Sequence, residues 1–149
     1  MSAGEYCNRE IVVVEKSDSV REAAKLMRER HVGDVVVVEK TAEGAKPQGI
    51  LTDRDIVIEL LAKDVDVDSV SIGDIMSTHL VSVNEDTKLL DAINLMRDKS
   101  IRRLIVLTET GTLAGLLSVD DILEIVTEQL TSLSKLIANE IENEQQHRS

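Results

Sequence analysis

The sequence predicts an α/β (α+β) fold built from two β-α-β-β-α repeats that pack about a pseudo-two-fold axis. A segment with helical patterning at 18–28 returns at 87–97, and a run of consecutive apolar residues follows each copy. Each copy then closes on the same motif: a glycine, two apolar residues, a threonine or serine, and an aspartate three positions later. A repeat of this length cannot bury its apolar face alone, so two copies imply mutual packing. Grooves related by such an axis are natural ligand sites.

Apolar spacing predicts one long helix in each repeat. Apolar or partly apolar residues recur at helical intervals in both copies, as Val20, Ala23, Ala24, Met27 and His31 and again as Leu89, Ala92, Ile93 and Met96. Such spacing places these residues on one helix face. Ser19, followed three positions later by Glu22, predicts a capping box at the start of the first helix.

The strands are predicted from runs of consecutive apolar residues. Positions 35–38 and 104–107 are apolar throughout, as in strands that are covered on both faces. Glycine-containing turns at 44–49 and 109–115 are expected to join them to partner strands. Those partner strands are predicted at 48–52 and 114–118, the helices that follow at 53–63 and from 119 onward, and the short strands before each long helix at 11–14 and 80–83.

The chain is predicted to divide into a first repeat at 5–64, a second repeat at 72–130, and a helical extension with a polar tail at 131–149. The acidic segment 63–68 connects the repeats. An apolar stripe continues the last helix beyond the repeat, with Leu123, Val126, Leu130, Leu133, Ile137 and Ile141. This stripe indicates either a partner surface or a helix that packs back on its own domain. The polar residues 142–149 are expected to fray.

Composition narrows the class of protein. The net charge of −11 disfavours nucleic acid and anionic membranes as general partners, and Tyr6 is the only aromatic residue. Cys7 is the single cysteine, which excludes an intrachain disulfide and fits a reducing compartment. No apolar stretch approaches the ~20 residues that span a bilayer, and no secretory signal is visible at the N-terminus. We therefore expect a cytoplasmic protein.

The repeated motif lies where a strand becomes a helix and supports two interpretations. Thr52 with Asp55, and Ser118 with Asp121, match the spacing of a helix-capping box. The same geometry suits a nucleotide, because a helix N-terminus with unpaired N–H groups attracts phosphate and a carboxylate one turn on can accept both ribose hydroxyls. The glycine permits close approach of a base or of a neighbouring strand. Position and duplication favour the nucleotide site.

With these motifs in place, the chain resembles a tandem pair of CBS domains, the Bateman module, over roughly residues 5–130. The resemblance rests on both complete motifs and on His31-Val32-Gly33-Asp34 ahead of the first one, as in small stand-alone bacterial and archaeal members. It implies a sensor that binds AMP, ADP, ATP or S-adenosylmethionine between the repeats and requires no cofactor.

The resemblance also implies two sites. In the first, Asp55 holds the ribose, Thr52 contacts phosphate, and adenine lies against Val32, Gly33, Asp34 and Val35, with Arg54 and His31 as further candidates. In the second, Asp121 and Ser118 play these parts beside the segment Ile101 to Leu104. His31 also suits a plain C-terminal helix cap, which is its more ordinary role.

The two sites are not expected to be equal. Family ligands commonly send their phosphates toward basic residues of the other repeat, and those positions are Arg102 and Arg103 in the second repeat. Arginine can clamp phosphate with two hydrogen bonds. The corresponding positions of the first repeat are Gly33 and Asp34, which offer no cation, and Asp34 is expected to face the Asp121 groove and repel phosphate there. We therefore expect the Asp55 groove to bind phosphate more tightly than the Asp121 groove.

The resulting hypothesis is a non-enzymatic regulatory module, since no catalytic triad or metal-ligand spacing is apparent. The alternative is a homodimeric interaction scaffold with no physiological nucleotide, acting through its C-terminal helix. Family members commonly pair into flat dimers, so a homodimer and a separate target protein are expected in either case.

Overall fold

The structure is a computed structural model that describes residues 1–148. Each repeat contributes a three-stranded sheet, in the order β1-β2-β3 and β4-β5-β6. The first sheet contains β1 (Val13–Val14), β2 (Asp34–Thr41) and β3 (Gly44–Thr52), and the second contains β4 (Ser82–Asn84), β5 (Arg103–Leu107) and β6 (Leu113–Ser118). The α-helices are α1 (Ala3–Tyr6), α2 (Val20–Arg30), α3 (Asp53–Ile56), α4 (Ile72–Ile75), α5 (Leu89–Lys99) and α6 (Val119–Arg148). A π-helical segment, Val57–Leu61, continues α3, and Val67–Ser69 forms a 3-10 turn.

The two sheets repeat one another in register as well as in order. In the first sheet Val13 pairs with Val36 in parallel, and in the second Ser82 pairs with Ile105. Each residue of the second pair lies 69 positions after its counterpart in the first pair, 82 after 13 and 105 after 36. The predicted fold class and its internal repeat are confirmed.

Consecutive burial along β2 has a simple geometric cause. Val35 and Val37 pack into the core of the first repeat with α2, whereas Val36 and Val38 pack with Ile105 of the second repeat. Successive side chains of a strand point to opposite faces, so β2 fills two cores at once. All four valines are at most 1% exposed. This confirms the prediction of a strand that is covered on both faces.

The short helices α1 and α4 are exchanged between the repeats. α1 precedes the first repeat, yet Gly4 N donates to Glu85 O in the second at 2.8 Å. α4 precedes the second repeat, and Gly73 N donates to Lys16 O in the first at 2.9 Å. Each repeat is therefore completed by a segment that belongs to the other, which fastens the two together.

The motif glycines allow this exchange. A Cβ at Gly49 would lie 2.7 Å from Ser77 O, and one at Gly115 would lie 2.7 Å from Asn8 O. Ser77 and Asn8 follow the exchanged helices and form bridges to the strands that contain these glycines. Of the two roles open to the motif glycine, the structure supports close approach of a neighbouring backbone.

Gly49→Ala should therefore destabilise the protein by about 1–3 kcal/mol, the usual range for an overpacked site. The added methyl group meets a backbone carbonyl, which cannot rotate away as a side chain would. Lys46→Ala, at an exposed position of the same strand, should change the free energy of unfolding by no more than about 0.5 kcal/mol. Urea denaturation of both variants measures the difference, and equal midpoints would contradict this role for Gly49.

Several local predictions need correction. Residues 44–49 belong to β3 rather than to a turn, because β2 continues to Thr41 and pairs with Gly44. The strand accommodates Pro47 where the register shifts next to Val38. Ala24 lies exposed, since the buried face of α2 consists of Val20, Ala23 and Met27. Ser19 caps α2 by accepting from Glu22 N at 3.2 Å.

The chain forms two compact units, 1–117 and 118–149. The second unit is α6, a continuous helix that reaches Arg148, where an ion pair with Glu144 at 2.7 Å supports the last turn. The expectation that the tail frays is therefore wrong through Arg148, and Ser149 lies outside the described residues. Within the described chain no helix is long and apolar enough to cross a membrane.

Candidate functional site

The first motif forms a reciprocal capping box at the start of α3. Thr52 Oγ1 accepts from Asp55 N at 3.1 Å, and Asp55 Oδ2 accepts from Thr52 N at 2.9 Å. Both residues are half-buried. The capping interpretation is thus realised, and Oδ1 of Asp55 makes no hydrogen bond within the described part of the chain. The outer carboxylate oxygen remains able to accept from ribose hydroxyls.

The N–H groups at the start of α3 are already paired. Asp53 N donates to Gly33 O at 2.9 Å, Arg54 N donates to the Asp53 side chain at 2.8 Å, and Asp55 N donates to Thr52. The unpaired N–H groups that the sequence analysis assigned to phosphate are therefore absent from this end of α3. Phosphate recognition at this site has to come from side-chain cations.

Backbone pairing brings the predicted adenine segment beside this motif. Asp34 is the cross-strand partner of Thr52 at the end of β3, and Val35 is the partner of Leu51. Val32 and Gly33 lead into the strand and are half-buried, whereas Val35 is buried. The structure thus brings together the strand start, the hydroxyl and the carboxylate that the sequence analysis assigned to one groove.

Arg103 reaches the same place from the second repeat. Its guanidinium Nε forms an ion pair with Asp34 Oδ2. Arg103 and Asp34 stand 69 positions apart (34 and 103), so they occupy equivalent places in the two repeats and meet at the axis that relates them. The Asp34 side chain is 18% exposed and that of Arg103 is 38% exposed. This pair is the contact that the sequence analysis did not predict.

The remaining candidates of the first site are Arg102, Arg54 and His31. Arg102 and Arg54 are both exposed, and Arg54 follows the capped residue Asp53. His31 closes α2 in a left-handed conformation with φ 56°, and its N–H donates to Met27 O. Ser100 closes α5 in the same way with φ 54°. A histidine and a serine thus adopt the same left-handed backbone conformation at equivalent helix ends. Because the conformation does not depend on the side chain, it supports the capping role of His31.

The second motif forms a similar box at the start of α6, with Ser118 as the last residue of β6. Ser118 Oγ accepts from Asp121 N at 3.1 Å and also donates to Asp121 Oδ2 at 2.8 Å. Thr52 makes no such donation to Asp55 among the described residues. Ile101 and Leu104 flank the start of β5, half-buried and buried respectively. Their grouping with Asp121 into one site stays a prediction.

The first centre brings together groups that can bind a polar, anionic ligand. It combines one carboxylate oxygen, one hydroxyl, apolar strand residues and an arginine. The described residues contain no group of three or more His, Cys, Asp or Glu side chains placed to hold a metal ion. Such a set can recognise a ribose and an anionic substituent.

Comparison with known proteins gives the family. The family model of the CBS domain matches residues 3–62 and 72–128. A protein of Methanopyrus kandleri is 37% identical over 125 residues, covering 84% of this chain and 62% of that protein. A mitochondrial CBS domain-containing protein of Arabidopsis thaliana is 35% identical over 81% of this chain and 59% of its own length. This chain therefore spans about three fifths of these two relatives.

Solved structures agree with this result. A conserved protein from Pyrococcus horikoshii has a TM-score of 0.72 at 27% identity, covering 84% of this chain and 91% of that one. The cytosolic domain of the Mg²⁺ channel MgtE in complex with ATP has a TM-score of 0.69 at 27% identity, covering 83% of this chain and 48% of that one. A hexameric CBS-CP12 protein from bloom-forming cyanobacteria has a TM-score of 0.70 at 30% identity, covering 83% of this chain and 69% of that one.

The fold and the doubled motif define a tandem regulatory module of the α/β class. The chain belongs to the CBS domain family, and both of its repeats are CBS domains.

Proposed function

We propose that this protein is a regulatory sensor that binds an adenine nucleotide of the AMP, ADP or ATP class between its repeats. The observation that carries the proposal is the meeting of the Thr52–Asp55 motif, the start of β2 and Arg103 at one place. A carboxylate suits vicinal ribose hydroxyls, and an arginine suits phosphate. The ATP complex of the MgtE cytosolic domain supports this ligand class.

The arrangement favours nucleotides over S-adenosylmethionine in the first groove. Arg103 and the neighbouring Arg102 supply positive charge where the ligand's 5′ substituent is expected to lie. A phosphate gains charge-assisted hydrogen bonds there, whereas the sulfonium of S-adenosylmethionine brings a positive charge of its own.

The single cysteine fits a reducing compartment, so the sensor is proposed to act in the cytoplasm.

A thermal-shift series with AMP, ADP, ATP, S-adenosylmethionine and adenosine tests this function. A ligand present at 100 times its dissociation constant adds about 2.7 kcal/mol to the free energy of unfolding. For a chain of this size each kcal/mol raises Tm by about 2–4 °C, so the best nucleotide should raise Tm by about 5–10 °C. GMP is the matched control, with the same ribose and phosphate. No shift with any adenine compound at millimolar concentration would reject the proposal.

A homodimer is part of the proposal. Two apolar surfaces remain exposed, one on each compact unit. In the first unit a groove of about 340 Å³ follows the π-helical segment, lined by Ile56, Val57, Leu60, Leu61, Val65 and Val67. In the second, α6 presents an apolar stripe along its length. Large exposed apolar patches are typical of protein interfaces. The CBS-CP12 protein of bloom-forming cyanobacteria is hexameric, which supports association between copies.

The alternative function is a homodimeric scaffold that acts through α6 without a physiological nucleotide. One observation favours it: Arg103, the cation expected to receive phosphate, is already paired with Asp34. The thermal-shift series separates the two functions, because a scaffold with empty grooves gains no stability from any nucleotide.

A further inference from the structure

We infer that Asp34 occupies the phosphate position of the first site and competes with the ligand for Arg103. This inference rests on the proposed nucleotide function and specifies how that site is regulated. The pair joins the start of β2 to the start of β5, and Asp34 is the cross-strand neighbour of Thr52. A phosphate that reaches Arg103 from a ribose held at Asp55 meets this carboxylate first.

The burial of the pair makes the competition significant. Only 18% of the Asp34 side chain is exposed, so its carboxylate has exchanged most of its hydration for contact with the guanidinium. An ion pair in such surroundings is screened much less than one in water. When a phosphate takes Arg103, the carboxylate loses its counter-ion and lies beside a second anion. Asp34 therefore lowers the affinity for ligands that carry a 5′ phosphate relative to the affinity for adenosine.

The position of the pair at the pseudo-two-fold axis adds a consequence for signalling. Asp34 belongs to the first repeat and Arg103 to the second, so the pair is an ionic contact between them. A nucleotide exchanges this contact for one between Arg103 and phosphate, whereas adenosine leaves it intact. AMP and adenosine share the same nucleoside, but only AMP is expected to break the Asp34–Arg103 contact between the repeats.

The ratio of AMP affinity to adenosine affinity tests the inference. Asp34→Asn preserves size and removes charge, and calorimetry should show the ratio of AMP affinity to adenosine affinity raised at least fivefold over the parent. Arg103→Gln should reduce the preference for AMP. In the Arg103→Gln background Asp34→Asn should then raise AMP affinity by less than it does in the parent, because only direct repulsion of the phosphate remains to be relieved. An unchanged ratio in Asp34→Asn, with both ligands binding, would overturn the inference alone. If neither ligand binds the parent, the proposed function fails and the inference fails with it.

A resonance of the unmodified protein gives a second test of the competition. In ¹⁵N-labelled protein the Nε–H resonance of Arg103, assigned by its loss in Arg103→Lys, reports directly on the bond to Asp34. Saturating AMP should shift this resonance, and saturating adenosine should leave it in place. Equal shifts with both ligands would contradict the competition.

Discussion

Asp55→Ala should lower the affinity for AMP at least tenfold. The substitution removes the outer carboxylate oxygen, which is the acceptor proposed for the ribose hydroxyls. Loss of a hydrogen bond to a charged group costs about 1.5–3 kcal/mol. The same change removes the Asp55 bond to Thr52 N, so the variant also loses half of its capping box. Isothermal titration with AMP measures the first effect and thermal unfolding the second.

The chain offers a matched control for the lost cap. At the start of α4 Asp74 accepts from Ser71 N at 2.9 Å, as Asp55 accepts from Thr52 N at the start of α3. Asp74→Ala should therefore lower stability by about 1 kcal/mol, as Asp55→Ala does, without weakening AMP binding. Asp55→Asn keeps an oxygen that can accept from Thr52 N but loses the negative charge. This variant should therefore keep the cap while weakening AMP binding. If Asp74→Ala and Asp55→Ala weaken AMP equally, the motif acts only as a cap.

Local patterns predicted the fold because each one reports a strong physical constraint. Four consecutive β-branched valines favour a strand with a core on each side, and the second repeat supplies the second core. The helix limits followed from caps, as at Ser19 and Thr52. The exchange of α1 and α4 was not predicted, because four-residue helices carry too little periodicity. Gly49 and Gly115 were its only visible signal.

The candidate site was predicted less completely than the fold. The capping box at Thr52 and Asp55 follows from local spacing, whereas the pairing of the α3 N–H groups depends on Gly33 in a neighbouring strand. The Asp34–Arg103 pair had a signal that sequence reasoning passed over. Opposite charges at equivalent positions of two repeats can meet only if the axis brings those positions together, and a pseudo-two-fold arrangement does so.

Replacing both Leu130 and Leu133 with glutamate should convert the proposed homodimer into a monomer. Seven large apolar side chains of α6 are between 44% and 61% exposed: Leu123, Val126, Leu130, Leu133, Leu136, Ile137 and Ile141. Five of them, at 123, 126, 130, 133 and 137, follow the alternating three- and four-residue spacing of a helix-pairing seam. Burial of one leucine contributes about 1.5 kcal/mol or more. Two leucines on each of two protomers thus contribute about 6 kcal/mol.

A loss of about 6 kcal/mol weakens association by more than a thousandfold, before any repulsion between the new charges. Glutamate is a good helix former, so α6 itself should persist, and circular dichroism checks this.

The matched control is Thr131→Glu with Ser132→Glu, which adds the same two charges to the same turn but away from the seam. Light scattering at tens of micromolar should give a dimer for the parent and control and a monomer for the seam variant. AMP affinity should stay nearly constant in all three, because the first groove is formed by residues 32–55 and 102–103. A monomeric parent, or a seam variant that remains dimeric, would show that this stripe is not the contact between copies.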